Sequence, residues 1–366
     1  MGTVLLEVVF PRAWALGMTG ERGTQMSKIL ITGSAGFIGG YIVEELLRQG
    51  HEVVGIDNYS KYGRATKSYD SNPRFTFVEG DVRDIELMTR LAEDSDHLIA
   101  GAAMIGGISY FHTYAYDLLA TNERIMASTC DAAISAIAKG RLQKVTYMSS
   151  SMVFESTTKW PSVEGDQLEI PPPLSSYGFQ KLAVEYFAKA AYDQYKLPYT
   201  IVRPFNCVGV GEGRATGEVE ILSGNVSLAM SHVVPDLVQK VLKGQNPLHI
   251  LGDGSQIRHY TYGGDLAKGI VSAVFHPNAL NTDFNISTTQ STTVLELARA
   301  IWEKIHRGRL EFSTVSDPSF DYDVQRRIPD VSKAARVLGV TCDTTLSEML
   351  DEVIPWIQRA IDEGRL

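Results

Sequence analysis

Cysteine is scarce in this chain. Its 366 residues carry three, Cys130, Cys207 and Cys342, far apart and without metal-ligand spacing. That excludes a disulfide framework and a thiolate metal centre, and it fits a reducing, cytoplasmic setting. Long apolar runs are missing as well. No stretch approaches the ~20 residues that a membrane helix needs, so no membrane partner is expected. Nor is there a surplus of positive charge: 34 Lys and Arg against 43 Asp and Glu leave a formal net charge of -9. Such a chain repels a phosphate backbone, which argues against nucleic acid as a partner. Any phosphate site must therefore be built locally.

What is present is the balance of a globular protein, 44% hydrophobic and 21% charged. The length suits one large α/β unit with an attached lobe. Residues 1–27 read as an extension, expected to be poorly ordered. Their apolar patch, Val4 to Phe10, is interrupted by Glu7, follows no basic segment and precedes no clear cleavage site, unlike a signal peptide.

From Lys28 the pattern alternates. Strand-like runs at Ile29–Ile31, Glu52–Ile56, Phe75–Val78, His97–Gly101, Lys144–Met148 and Tyr199–Val202 are separated by helical periodicity at Gly36–Gln49, Ile85–Ala92, Tyr116–Ala138 and Tyr177–Tyr195. Short connections with intervening helices predict an α/β fold with a doubly wound parallel Rossmann-type sheet. After Pro204 the alternation fails. The Gly-rich segment Gly209–Gly224 reads as loop, and helix resumes near Pro235–Lys243. The expected division is a cofactor domain of 28–204 plus about 258–290, and a smaller α/β substrate-binding lobe of 205–257 plus about 291–366.

Between the first strand and helix lies Gly33-Ser34-Ala35-Gly36-Phe37-Ile38-Gly39. Glycines there allow a tight turn and close approach of backbone to a pyrophosphate, while the helix N–H groups face the anion. Asp57 closes the second strand, where a carboxylate accepts ribose hydroxyls and repels a 2′-phosphate; NAD is favoured over NADP, although Lys61 and Arg64 stand nearby. Tyr177 and Lys181 are four residues apart, on one face of a helix. An ammonium 4 Å from a phenolate at an effective dielectric of ~20 is worth ~4 kcal/mol, about three pK units, which would make Tyr177 a usable base.

The GxxGxxG spacing and Tyr177-Gly178-Phe179-Gln180-Lys181, matching YxxxK, resemble the extended short-chain dehydrogenase/reductase family over most of residues 28–210. That resemblance implies cofactor contacts from Gly33, Ala35, Gly36, Phe37, Ile38, Gly39, Asp57, Asn58, Asp81, Val82, Ala102, Ala103, Lys181 and Pro204. It also implies catalysis by Ser150, Tyr177 and Lys181, with Ser151 adjacent. Its helix pair Tyr116–Ala138 and Tyr177–Tyr195 implies a homodimer.

Three further segments resemble nucleotide-sugar enzymes of that family: Arg203-Pro204-Phe205-Asn206 (RPFN), Gly252-Asp253-Gly254-Ser255-Gln256-Ile257-Arg258 (GDGxQxR, followed here by His259 in place of aspartate), and Arg326-Arg327-Ile328-Pro329-Asp330 with Lys333-Ala334. By that likeness Asn206, Arg258 and Arg327 bind a substrate diphosphate. The runs Ala102–Ile108 and Ser231–Pro235 resemble GDP-fucose synthase, implying substrate contacts from Gly106, Gly107, His232 and Val233, with His232 a candidate acid; the plainer reading of His232 is a residue capping or packing beside the helix at Pro235. Met152 takes the position where related dehydratases, decarboxylases and carbon-acid epimerases carry an acid or cysteine, so it counts as a substrate contact and not a catalyst. Hydride-only chemistry follows: oxidation at C4, rotation of the 4-keto sugar and hydride return, a 4-epimerase. The alternatives are a 4,6-dehydratase or decarboxylase, an epimerase/reductase like GDP-fucose synthase, or a dinucleotide-sensing binding protein. No metal is expected.

Overall fold

Continuous apolar runs form strands here because helices cover both faces of the sheet, leaving no solvent side for a polar alternation. In the computed structural model, which describes residues 26–64, 66–105, 114–212, 232–318 and 324–364, the elements run β1 (Lys28–Thr32), α1 (Phe37–Arg48), β2 (Glu52–Asp57), β3 (Phe75–Glu79), α2 (Ile85–Glu93), β4 (His97–Ala100), α3 (Ala115–Ala138), β5 (Lys144–Met148), α4 (Ser176–Tyr195) and β6 (Tyr199–Pro204). Then come β7 (Cys207–Val208), α5 (Val233–Leu242), β8 (Leu248–Leu251), β9 (Ile257–Arg258), β10 (Thr261–Tyr262), α6 (Gly263–Phe275), β11 (Thr282–Ile286), β12 (Thr292–Thr293), α7 (Val294–His306), β13 (Thr314–Asp317), α8 (Ser332–Leu338) and α9 (Leu346–Asp362). Residues 1–25 of the expected extension, residues 106–113 with Gly106 and Gly107, and residues 213–231 lie outside the described residues.

Seven strands form one parallel sheet in the order β11-β6-β5-β4-β1-β2-β3. The six strands expected from the pattern are joined by a seventh, β11, whose short run TDFNI gave no strong period. Helices α1, α6 and α8 pack on one face of the sheet, and α2, α3 and α4 on the other. A separate cluster joins α5, α7 and α9 to β8 around Trp302 and Leu350. Helices α7 and α9 each open with a full capping box, Thr293 with Glu296 and Thr345 with Glu348, a signal readable in the sequence. Strand order reverses between β1 and β4, so the crevice for a ligand lies at their carboxyl ends.

The opposite end of the sheet holds a buried cluster of basic residues. His51 stacks on Phe275 at 4.3 Å and His97 meets the same ring edge-on at 5.2 Å. Beside them buried Lys144 donates to the Ala273 carbonyl at 2.7 Å. Burial, helped by the charge of Lys144, pulls His97 down to about 4, and burial lowers His51 too. The unfolded chain, with histidines near 6.5, therefore binds more protons than the folded one between about pH 6.5 and 4. Stability present above that window is expected to fall as pH drops through it, and a His97→Gln variant should lose less. Thermal unfolding midpoints of both proteins from pH 7 to 4 check this; parallel curves would refute the assignment to His97.

Candidate active site

The glycine turn is shaped by contacts that admit no side chain. Gly33 has φ +77, and a Cβ there would lie 3.0 Å from the Ala102 backbone. A Cβ on Gly39 would lie 2.1 Å from the Gly33 carbonyl oxygen. Helix α1 starts behind Gly36 with no side-chain cap, leaving first-turn N–H groups for an anion. Asp57 receives the Ala35 N–H at 3.1 Å and the Tyr59 N–H at 2.8 Å, so it braces the turn from the end of β2. Burial raises its pKa against those hydrogen bonds. Arg64, a cation that could have welcomed a 2′-phosphate, is paired with Glu79. Asp81 is gripped by Arg83 at 2.6–3.1 Å, also bonds Asn58, and is held below the usual carboxylate range. Val82 is buried beside it. Thr32 Oγ1 accepts the Gly101 and Ala102 N–H groups, both at 3.0 Å, and fixes the turn after β4. These features, a cradle closed to side chains with unspent helix N–H groups and a carboxylate at its rim, fit a dinucleotide.

That cradle opens into a cavity of about 560 Å³ lined by Phe37, Ile38, Ala103, Pro204, Ser150, Ser151, Met152, Tyr177 and Lys181. Ser150 caps a 3₁₀ turn, Ser151–Phe154, and Ser175 caps α4 by accepting the Gly178 N–H at 3.0 Å. Glu155, which the sequence reading passed over, accepts the Ser175 hydroxyl at 2.6 Å and so ties the two turns together. Gly178 must be glycine here, since a Cβ would lie 2.6 Å from that carboxylate and 2.9 Å from the Met152 carbonyl.

Tyr177 and Lys181 are both buried and on one face, but the simple electrostatic expectation for the phenol is corrected. Burial raises the Tyr177 pKa; a hydrogen bond with Ser150 and the charge of Arg327 oppose it without prevailing. Lys181 Nζ donates to the Met148 carbonyl at 3.0 Å and sits 5.9 Å from the centre of the Tyr177 ring. Burial brings Lys181 itself down to about 8. The same desolvation that penalises a phenolate penalises the ammonium meant to stabilise it.

Behind these residues lies a charge cluster the sequence did not reveal. Fully buried Arg203 forks onto Glu185 at 2.7 and 2.8 Å and reaches Asp283 at 2.7 Å. Glu185 also accepts from Ser149 Oγ at 2.7 Å and Gln167 at 3.0 Å. Lys333 joins through Asp283 at 2.8 Å.

On the far side, Asn206, Arg258, Arg327, Val233 and His232 line the same cavity. Arg327 donates to Asn206 Oδ1 at 3.4 Å, and Arg258 is held by the Ile257 carbonyl at 2.9 Å. The arginine pair divides its work: Arg326 stacks on Trp160, 5.5 Å from its ring centre, while Arg327 faces the cavity. His259 turns inward, Nδ1 at 3.0 Å from the Thr288 carbonyl, and burial lowers its pKa. His232 occupies the cap position of α5 without capping it, and its Nδ1 pairs with buried Glu212. Glu212 was not anticipated because its segment reads as featureless loop.

The fold and this site together define an extended short-chain dehydrogenase/reductase with NAD as cofactor. The chain belongs to the NAD dependent epimerase/dehydratase family, whose model matches residues 29–287. It is similar to the UDP-N-acetyl-alpha-D-glucosaminuronate decarboxylase of Bacillus cytotoxicus, 27% identical over 90% of this chain and 98% of that one. Among solved structures it is similar to the UDP-glucose 4-epimerase of Thermotoga maritima with UDP-glucose (TM-score 0.74, 26% identity, 91% of this chain and 99% of that one). It is also similar to the UDP-glucuronic acid 4-epimerase of Bacillus cereus with UDP-glucuronic acid and NAD (TM-score 0.75, 25% identity, 91% and 99%).

A Gly39→Ala substitution places a methyl against a backbone oxygen that has no room to move. NAD affinity is expected to fall by about tenfold or more, the equivalent of ~1.4 kcal/mol, with the circular dichroism spectrum unchanged. Calorimetric titration with NAD tests this, and wild-type affinity in the variant would show that the turn does not carry the cofactor.

Proposed function

We propose that the chain is an NAD-dependent nucleotide-sugar 4-epimerase, acting through a transient 4-keto sugar. The observation that carries this reading is the composition of the reacting corner. Ser150, Tyr177 and Lys181 supply what hydride chemistry at a hydroxyl-bearing carbon needs, and the neighbouring position is Met152, packed against Tyr177 and Leu118 in a small apolar cluster. A thioether neither takes nor gives a proton, so that position offers nothing for dehydration, decarboxylation or enolisation. The 4-epimerases among the similar structures support the same choice.

In its phenolate form, which the Ser150 hydrogen bond and the Arg327 charge favour against burial, Tyr177 takes the proton of the sugar's C4 hydroxyl, with Ser150 sharing the hydrogen bond as charge develops on that oxygen. NAD, when bound, accepts the C4 hydride and later returns it. Lys181 orients against the Met148 carbonyl and lends positive charge to the phenol as its proton arrives and leaves. Asn206, Arg258 and Arg327 hold the diphosphate, so the sugar ring can turn about that anchor and present its other face. His232 with Glu212 favours a second reading, a reaction with an additional proton transfer, as in a decarboxylase, a 4,6-dehydratase or an epimerase/reductase. A non-catalytic dinucleotide sensor is the third.

Incubation in D₂O with NAD, without reductant, against UDP-, GDP-, dTDP- and CDP-sugars separates them. A product of unchanged mass and no deuterium is expected; loss of water or carbon dioxide, or deuterium at carbon, would replace the epimerase reading with the second. Tyr177→Phe should lower turnover by about 10²–10⁴-fold, the usual share of a general base, whereas a sensor would be indifferent.

We also propose a homodimer through α3 and α4, in line with the family resemblance. Phe179 and Tyr186, 46% and 60% exposed, lie with Ala183 and Ala190 along the outer side of α4, and Tyr116 is 69% exposed on α3. Large apolar groups left on one side of a helix pair mark an association surface. Tyr186→Lys is expected to shift the protein from dimer to monomer in sedimentation; a monomeric wild type would end this proposal.

A further inference from the structure

Ser150 and Tyr177 stand on two helix caps. Ser150 opens the 3₁₀ turn Ser151–Phe154 by accepting the Met152 N–H at 3.2 Å. Ser175 opens α4 by accepting the Gly178 N–H at 3.0 Å, and Tyr177 is the second residue of that helix. Side chains three apart eclipse in a 3₁₀ turn, so Glu155, at the end of the turn, shares a side with Met152, and both line the cavity. The Glu155 carboxylate is spent on Ser175. Its Oε2 accepts the Ser175 hydroxyl at 2.6 Å and its Oε1 the Ser175 N–H at 3.2 Å. The first is a charge-assisted bond, roughly twice as strong as a neutral one. A hydroxyl has a single hydrogen, and with that hydrogen fixed on Glu155 the lone pairs of Ser175 are left for the Gly178 N–H.

These contacts close a ring. Ser150 leads through the 3₁₀ turn to Glu155, Glu155 reaches Ser175 20 residues further along, Ser175 caps the turn that carries Tyr177, and Tyr177 returns to Ser150 by their hydrogen bond. The intervening chain adds a weaker tie, the Ser156 hydroxyl donating to the Pro172 carbonyl at 3.1 Å. Arg203 grips α4 at Glu185, about two turns beyond Tyr177, so the first turn of the helix depends on its own cap.

We propose that Glu155 is a positioning residue for the reaction: by bridging the two caps it sets the distance between the Ser150 hydroxyl and the Tyr177 phenol, without itself transferring a proton. The inference rests on the reading of Ser150 and Tyr177 as the reacting pair. The role demands reach and acceptor oxygen. Glutamine keeps both in part, whereas aspartate keeps the charge but is shorter by one methylene, and alanine keeps neither.

The test compares wild type with Glu155→Gln, Glu155→Asp and Glu155→Ala in two measurements. The first needs no substrate. In protein labelled with carbon-13 at tyrosine Cζ, the NMR resonance of Tyr177, identified by its absence from Tyr177→Phe, is expected to move in Glu155→Asp and Glu155→Ala and to stay near its wild-type position in Glu155→Gln. The second is turnover of whichever UDP-, GDP-, dTDP- or CDP-sugar the wild type converts. Here kcat is expected to fall about ten- to a hundredfold in Glu155→Asp and Glu155→Ala, the cost of a misplacement near 1 Å, and to be largely restored in Glu155→Gln. Affinities for NAD and for the matching nucleoside diphosphate should stay unchanged in all three. Glu155→Gln as slow as Glu155→Ala overturns the proposal in favour of proton transfer by the carboxylate. Wild-type kcat in Glu155→Ala, or an unmoved Tyr177 resonance, overturns it too, as does loss of cofactor and diphosphate affinity in step, the mark of a folding role. A wild type that converts none of the sugars removes the epimerase reading alone, and the NMR comparison still decides the positioning.

Discussion

The fork of Arg203 on Glu185 is the interaction on which the site depends most. It joins β6 to α4, the helix of Tyr177 and Lys181, in the interior, and its extensions reach the end of β5 through Ser149, β11 through Asp283 and α8 through Lys333. An ion pair this deep is weak evidence for net stability, since desolvation offsets much of its attraction. Its specificity is another matter. Removing one member leaves an uncompensated charge in the core, so no packing that separates α4 from β6 is tolerated. Because Ser149 precedes Ser150 and Lys181 lies one helical turn before Glu185, the cluster fixes the spacing between Ser150 and the helix that carries Tyr177.

A second constraint acts at the opposite edge of the same crevice. Gly33 and Gly39 are pressed against backbone, and Asp57 holds the turn by its Ala35 N–H while standing at the rim. The turn is therefore rigid before any ligand arrives, which reduces the ordering cost of binding. With the glycine turn fixed to β1, and Ser150 and Tyr177 fixed by β5 and α4, the sheet's parallel register sets the distance between them.

Local information was the legible part. The glycine turn, the six strand runs and the Tyr177 and Lys181 pair lie within short windows, where spacing alone dictates geometry. What escaped reading depends on residues far apart in sequence. Arg203 looked like one letter of a phosphate motif, and only the packing of α4 against β6 reveals that it serves Glu185. Glu155 and Glu212 sit in segments without period, so nothing in their neighbourhood announces that one braces Ser175 and the other backs His232. The surroundings of the Tyr177 phenol escaped reading for a related reason: four-residue spacing puts Lys181 on the same face, but burial, a property of the whole fold, pushes the phenol pKa upward.

For an acidic protein to hold a diphosphate, as proposed above, it has to keep some of its cations facing the cavity. Here the division is by position. Arg48, Arg64, Arg83 and Arg203 are each engaged by an acid away from the cavity lining, whereas Arg258 and Arg327 line the cavity and are oriented in part by the Ile257 backbone carbonyl and the Asn206 side-chain oxygen. A guanidinium that faces the cavity brings a planar fork of donors suited to an anion. The same logic accounts for His259 in a place where a carboxylate would otherwise follow Arg258: buried and neutral, it bonds the Thr288 carbonyl and adds no negative charge beside the clamp. Local placement of guanidiniums in the cavity wall, and not overall charge, is what would make the proposed phosphate binding compatible with a net charge of -9.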